Sequence, residues 1–156
     1  MKANKIVYTS NTGFTRRYAE MLGKAAGLPV YDLAQSPQGG SALYLGWLRA
    51  GKIHGLARAR KKHLVTGCCA VGLTDRPPME KLSAQLPEGK VFYLRGGYDH
   101  GGQHGLNRLM MTAMIKSMER RPPEDAAAQG LLRAAREGAD FVTEEQLSPV
   151  EDWLRG

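Results

Sequence analysis

Residues 6–15 read Ile-Val-Tyr-Thr-Ser-Asn-Thr-Gly-Phe-Thr, and this stretch decides the fold. Its first three residues are apolar and predict a strand, while the hydroxyl-rich segment 9–15 leads directly into a helical pattern. A strand that delivers Ser, Thr and one Gly to a helix N-terminus gathers backbone N–H groups, hydroxyls and the positive end of the helix dipole around one point. The stretch therefore indicates either an anion cradle that works without Lys or an ordinary capped turn, which Ser and Thr also favour.

Strands and helices alternate along the rest of the chain. We predict strands over residues 5–9, 30–33, 42–45, 64–73 and 91–94, and helices over 14–26, 53–62, 79–86, 106–121 and 124–139. This alternation specifies right-handed crossovers and a doubly wound α/β fold with a five-stranded parallel sheet and helices on both faces. We expect one domain, residues 1–156, with a helical extension over about 124–156. In such a sheet a ligand lies beyond the carboxyl ends of the strands, where the strand order reverses.

Composition limits the location and the partners of the chain. The net charge of +7 over 156 residues favours acidic proteins, anionic lipid or nucleic acid as partners. The densest basic cluster contains Arg58, Arg60, Lys61 and Lys62, although a solvated helix face explains such a cluster more often than a binding site does. Nucleic acid is the weakest of the three partners, because no known nucleic-acid module accompanies the charge. No signal peptide or membrane helix is expected, which predicts a cytoplasmic protein with a peripheral position at the inner membrane face as an option.

Two residue types give predictions of their own. Cys68 and Cys69 are adjacent within an apolar run, which predicts buried thiols rather than a disulfide. The helix predicted over 106–121 holds four of the seven Met residues, which can serve as core or as an adaptable surface for quinones, membranes or partners; core is the favoured interpretation. His100 and His104 lie four residues apart without a carboxylate at helical spacing, so no metal site is predicted.

The first loop resembles the phosphate loop of the flavodoxin family, [Ser/Thr]-x-Thr-Gly-x-Thr, in the position that family requires. The resemblance implies the flavodoxin-like strand order 2-1-3-4-5 and bound FMN. It implies that the hydroxyls of Ser10, Thr12 and Thr15 and the N–H groups of the loop hold the phosphate. Arg16 and Arg17 oppose the helix dipole, which a nearby dianion would offset and which a surface position also explains. The phosphate-loop residues implied are Ser10, Asn11, Thr12, Gly13, Phe14 and Thr15.

Two further loops occupy the places where flavodoxins hold the flavin ring. Trp47 can stack on the isoalloxazine, with burial as a plain core or surface aromatic as the alternative. The backbone of Gly51 can meet the ring edge. The implied residues are Gly46, Trp47, Leu48, Arg49, Ala50 and Gly51 after the third strand, and Gly72, Leu73, Thr74 and Asp75 after the fourth. Flavodoxins commonly place an aromatic and acidic residues in these loops, and this chain departs from that pattern.

A finer resemblance lies further along the chain. Leu-Arg-Gly-Gly-Tyr-Asp-His at 94–100 and Leu-Asn-Arg-Leu-Met-Met at 106–111 are similar to the branch that contains menaquinone-dependent protoporphyrinogen oxidases. That family has a longer segment near the fourth strand, whereas the connection 73–91 is short here. Tyr98, Asp99 and His100 then lie near a substrate entrance, and no residue is assigned a catalytic role.

Three functions follow from these observations. The first is an FMN-binding flavodoxin-like redox protein, either a flavin-dependent oxidoreductase or an electron carrier, whose partner is a redox protein or a quinone. The second is a quinone-linked enzyme similar to protoporphyrinogen oxidase. The third, from another class, is a non-flavin module that binds or senses a different phosphorylated ligand.

Overall fold

A mostly parallel sheet forms the centre of the structure, a computed structural model that describes residues 1–99, 105–121 and 124–156. Its strands are β1 (Lys5–Tyr8), β2 (Val30–Asp32), β3 (Ser41–Arg49), β4 (Lys52–Ile53), β5 (Leu64–Gly72) and β6 (Lys90–Arg95). The parallel strands lie in the order β2-β1-β3-β5-β6, and β4 pairs antiparallel with β3. The α/β class is confirmed. The sheet has six strands rather than the predicted five, and the order changes with the count, because the chain forms a short hairpin after β3.

Helices alternate with these strands. They are α1 (Phe14–Ala26), α2 (Leu56–Lys62), α3 (Met79–Ser83), α4 (Gly105–Arg120), α5 (Ala126–Glu137) and α6 (Ser148–Arg155). Two short strands, β7 (Gly97–Tyr98) and β8 (Ala139–Asp140), pair antiparallel in a separate ribbon. Across the described ranges, none of the helices has the length and apolar character required to cross a membrane.

The sheet is buried on both faces, as a doubly wound fold requires. Alternate residues of each strand enter opposite cores: Ile6 lies in one and Val7 in the other. Helices α1 and α6 cover the first face, and α2 and α3 cover the second. Cys68 and Cys69 are fully buried, one on each face, so the prediction of buried thiols is confirmed. Burial raises the pKa of both thiols, which keeps them protonated and unreactive.

The last helix completes the first core. Val150 and Leu154 of α6 are fully buried, and Trp153 meets the ring of Phe92 edge-on at 5.7 Å. A Cβ at Gly67 of β5 would lie 2.5 Å from Trp153 Cη2, so only glycine lets the indole lie against the strand at that point. The predicted C-terminal extension is therefore partly a layer of the fold itself.

Strand β3 is longer than predicted. The sequence pattern ends this strand at Gly46, whereas Gly46 and Trp47 continue to pair with Ala70 and Val71 of β5. A Cβ at Gly46 would lie 2.6 Å from the carbonyl oxygen of His54, so this glycine admits the returning hairpin rather than ending the strand. The helix predicted over 53–62 consequently begins only at Leu56, because the chain to Ile53 is used in β4.

The favoured interpretation of α4 as a core helix is wrong. Leu106, Leu109, Met110 and Met114 are all exposed large apolar residues. The core clusters on the two faces of the sheet form without any described residue of α4. Helix α4 instead contacts α5 and borders the cavity described below.

Candidate functional site

A cavity of about 420 Å³ opens at the carboxyl ends of β1, β3 and β5. This is the edge where a parallel sheet of this type binds its ligands. The described residues that line it are Ser10, Asn11, Thr12, Phe14, Thr15, Trp47, Leu48, Arg49, Ala50, Val71, Gly72, Leu73, Thr74, Gly97, Tyr98, Met110, Met111 and Met114. The structure thus brings together residues of all three predicted loops. Of the predicted residues, Gly13, Gly46, Gly51 and Asp75 are not among the described lining residues.

The loop between β1 and α1 forms a hydroxyl-lined end of the cavity. The N–H of Gly13 donates to Ser10 Oγ at 3.0 Å, which curls the loop into a tight turn. Gly13 has a φ of 99°, a conformation that a side chain would strain, so its role is to shape the loop. The first intrahelical bond runs from Arg17 N–H to Gly13 O, which leaves the first-turn N–H groups of α1 without an intrahelical partner. These donors and the Thr12 and Thr15 hydroxyls suit an anion.

A buried polar network fixes the base of this loop to β3. Thr9 Oγ1 and the Tyr44 hydroxyl are 2.7 Å apart, and both contact the carbonyl oxygen of His54. Burial raises the pKa of Tyr44, so the phenol stays protonated and remains a donor. At Gly55, which has a φ of 79°, a Cβ would collide with the Tyr44 hydroxyl. Sequence reasoning missed this network, because its members are far apart along the chain and none carries a motif.

The second wall is the β3–β4 hairpin rather than the predicted loop. Ala50 and Gly51, with φ values of 51° and 79°, form the two-residue turn, in which both residues are left-handed, as hairpin twist favours. The side chain of Gln85 holds this turn: its Nε2 donates to Gly51 O at 2.9 Å and its Oε1 accepts from Ile53 N–H at 3.0 Å. Gly51 therefore shapes the turn of the hairpin, and its carbonyl oxygen is already bonded to Gln85.

Trp47 lines the cavity and stacks on a neighbour of the same hairpin. Its ring lies 4.5 Å from the His54 ring, with 27° between the planes. Burial, and then the nearby cations Arg58 and Arg49, lower the pKa of His54, so its imidazole is neutral at neutral pH. The neutral imidazole of His54 therefore covers one face of the Trp47 ring.

The third wall is the end of β5. Gly72, Leu73 and Thr74 line the cavity, and Asp75 lies beyond them. The backbone here is held from β6: Arg95 Nε donates to Leu73 O at 2.9 Å, and the Tyr93 hydroxyl donates to Thr74 O at 2.7 Å. These bonds fix the shape of the segment, and within it the Thr74 hydroxyl accepts from Arg76 N–H at 3.1 Å.

Helix α4 forms a roof that the sequence did not assign to the site. Met110, Met111 and Met114 line the cavity, and Arg49 Nη2 lies 3.5 Å from Met110 Sδ across the gap between the hairpin and the roof. Arg49 is the one charged residue among the described lining residues. The clustering of Met residues in this helix was the available sequence signal, but the favoured interpretation placed these residues in the core.

The segment after β6 contributes Gly97 and Tyr98. Tyr98 is buried at the cavity wall, and burial raises the pKa of its hydroxyl. Asp99 follows at the end of the described range, while His100 and His104 lie outside the described residues. Among the residues that the structure does describe, no group of three His, Cys, Asp or Glu could hold a metal ion.

The basic residues at the start of α1 have acidic partners on the protein surface. Arg16 Nε lies 2.8 Å from Glu20 Oε1, and Arg17 Nη1 lies 2.8 Å from Asp140 Oδ2. The bond from Arg17 lowers the pKa of Asp140. These two ion pairs offset the charges of Arg16 and Arg17 without a bound dianion, which favours a surface position as the explanation for both residues. Neither arginine is among the described residues that line the cavity.

Two of the four basic residues in the α2 cluster also have partners within the protein. Arg60 Nη2 pairs with Glu88 Oε1 at 2.6 Å, and Lys62 Nζ donates to Leu33 O at 3.0 Å. Arg58 and Lys61 are exposed. The cluster therefore offers a smaller charged surface than its sequence suggests.

No protein-family model, no curated protein and no solved structure matches this chain. Function therefore has to come from the chemistry of the cavity.

Proposed function

We propose that this protein binds FMN in the cavity and is a flavin-dependent redox protein. The observation that carries the proposal is that a hydroxyl-lined helix N-terminus and the ends of β3 and β5 border one cavity of about 420 Å³. Cofactor pockets commonly have volumes of about 300–1,000 Å³ and a mostly apolar lining with a few polar groups. The parallel strand order β2-β1-β3-β5-β6 is consistent with a flavodoxin-like fold, which supports the same proposal.

The residues present fit the parts of FMN. Ser10, Thr12 and Thr15 would hold the phosphate together with the first-turn N–H groups of α1. Trp47 and the end of β5 would border the ring. When bound, FMN supplies the capacity to accept and release electrons, while the chain binds it, orients it and excludes water. No catalytic side chain is required for that role.

An oxidoreductase suits this chain better than a carrier that docks on basic reductases. The net charge of +7 would repel a basic partner and attract an acidic substrate or partner. The Met-lined roof offers an apolar second surface in the same cavity. A quinone-linked enzyme similar to protoporphyrinogen oxidase is the more specific form of this proposal. Anaerobic oxidation of protoporphyrinogen with a quinone acceptor would support that form, and no turnover would favour another substrate.

The test of FMN binding compares FMN with riboflavin, which lacks the phosphate. Wild-type protein is expected to bind FMN more tightly than riboflavin, measured by quenching of flavin fluorescence. Thr12→Ala is expected to weaken FMN binding by about tenfold or more, because a bond to a charged phosphate is lost, and to leave riboflavin unchanged. Thr112→Ala is the matched control, since the Thr112 hydroxyl donates to Arg108 O within α4.

Two results would overturn the proposal. Protein that is colourless as purified and that ignores added FMN would exclude a flavin function. If such protein binds another phosphorylated ligand and Thr12→Ala abolishes that binding, the cradle serves a non-flavin module instead.

A further inference from the structure

Helix α4 carries an apolar surface that the domain does not cover. Leu106 is 72% exposed, Leu109 67%, Met110 50% and Met114 41%. Leu109 and Met110 follow Leu106 by three and four residues, and Met114 follows Met110 by four, so these side chains lie along one side of the helix. We call these four residues the α4 stripe. Single exposed apolar residues are ordinary, but a contiguous row on one helix marks an interaction surface.

The stripe is continuous with the mouth of the cavity. Met110 and Met114 belong to the stripe and also line the cavity, together with Met111. On the other side, Ile115 and Met118 are half-buried. Helix α4 is therefore apolar on both sides, and its own domain uses only one of them. The apolar side that the domain leaves exposed is the α4 stripe.

Positive charge surrounds the stripe. Arg108, Lys116 and Arg120 are the cations of α4, and all three are exposed. Glu119 is the one acid in the helix, and it pairs with Arg136 of α5 at 3.0 Å. Arg49 adds a further positive charge beside Met110. An apolar row flanked by Lys and Arg suits an anionic membrane, because the apolar side chains can insert while the cations meet the head groups.

We infer that the α4 stripe docks this protein on an anionic lipid surface. A second copy of the chain fits less well, because two molecules of net charge +7 would face one another. An acidic protein partner also fits less well, because the stripe holds only Leu and Met, whereas the energetic centres of protein interfaces are enriched in Trp, Tyr and Arg. Binding to an anionic lipid surface requires only exposed apolar area and positive charge on the protein. The inference needs no bound FMN, so it stands or fails separately from the proposed function.

The apolar part is tested by flotation with vesicles of phosphatidylcholine alone and with vesicles containing phosphatidylglycerol. Wild type is expected to float with the anionic vesicles only. Leu106→Ser/Leu109→Ser is expected to lower the bound fraction by about tenfold or more, because two inserting side chains are lost. Leu64→Ser is the matched control: Leu64 is also 67% exposed but lies at the start of β5, away from the carboxyl edge. All three positions are exposed, so thermal unfolding should stay unchanged.

The electrostatic part uses charge reversals on two helices. Lys116→Glu/Arg120→Glu is expected to weaken anionic-vesicle binding by about tenfold or more, since each basic residue near such a surface contributes about 1 kcal/mol. Arg58→Glu/Lys61→Glu on α2 carries the same charge change and should bind more tightly than the α4 variant.

Three outcomes overturn the inference. One is no flotation of wild type with anionic vesicles. Another is undiminished binding by the Leu106/Leu109 variant, which would point to charge alone and to an acidic partner. The third is a dimer in sedimentation that the same variant abolishes, which would assign the stripe to a second copy.

Discussion

His54 is the residue at which the fold and the candidate site meet. Its carbonyl oxygen accepts from the Thr9–Tyr44 pair beneath the cradle, and its ring stacks on Trp47 at the cavity wall. Burial and the cations Arg58 and Arg49 lower the pKa of the ring. Protonating His54 would therefore place a positive charge near Arg49 and Arg58.

This arrangement predicts how stability depends on pH. Below the usual His pKa of 6.5, the unfolded chain takes up a proton that folded His54 resists, so the free energy of unfolding falls as pH drops from 6.5 through the folded pKa. The loss should be under about 1 kcal/mol, because solvent still reaches the ring. Denaturant unfolding between pH 7.5 and 5 should show a flatter slope in His54→Gln. Arg58→Gln should raise the pKa of His54 in NMR titration; an unchanged value would contradict the electrostatic cause.

The ion pairs of α1 show what a sequence can reveal at the scale of single residues. Glu20 lies four positions after Arg16, so their pair is visible in the sequence as a helical spacing. Asp140 lies 123 positions after Arg17, and nothing local connects them. The pairing depends on the β7–β8 ribbon bringing Asp140 to α1, which only the folded chain determines.

At the scale of elements, the β3–β4 hairpin depends on a clamp from outside it. Gln85 lies beyond the end of α3 and satisfies both Gly51 O and Ile53 N–H. A two-residue strand such as β4 has little stability of its own, so these two bonds supply a large share of its order.

Removing the clamp should therefore loosen the hairpin without unfolding the domain. Gln85→Ala is expected to destabilise the hairpin by on the order of 1–2 kcal/mol and to speed hydrogen exchange at the Ile53 amide by about tenfold. Global unfolding should change much less. Gln38→Ala, at an exposed loop position, is the control and should leave exchange at Ile53 unchanged. Equal exchange in the two variants would show that the hairpin holds itself.

The two C-terminal helical regions explain why element roles were harder to predict than element positions. The residues of α4 were expected over 106–121 and observed at Gly105–Arg120, so the periodic pattern located the helix well. Its apolar residues lie on both sides, so the pattern could not tell which layer it covers. Helix α6 has one apolar side, with Val150 and Leu154 buried, yet it was predicted only as part of a helical extension over about 124–156.

At the scale of the whole molecule, α6 should be essential to the fold. Leu154 is fully buried against the first core, so Leu154→Ala is expected to cost about 2–5 kcal/mol of unfolding free energy. Denaturant unfolding measures the difference. Leu64→Ala removes the same atoms from an exposed site and should cost no more than about 0.5 kcal/mol. Similar losses for the two variants would show that α6 is a dispensable appendage.

The α/β class was predictable because its signals are local. Alternating apolar strands and capped helices gave the α/β class, and the Ser-Thr-Gly loop after β1 gave one end of the cavity. The hairpin, the Met roof and the Thr9–Tyr44 network were not predictable, because they arise from contacts between distant segments. Gly46 illustrates this limit: it looks like a strand end, but it marks a close approach by His54.

The contact between the two ends of the described chain governs how this domain can form during synthesis. Lys2 N–H donates to Leu154 O at 2.9 Å. The buried side chains of α6 lie in the first core, together with Ile6 of β1. A ribosome releases the chain from its N-terminus onward. The sheet can therefore assemble early with α1 on its first face, while the part of that face that α6 covers stays open to water and to chaperones until the residues of α6 emerge from the exit tunnel.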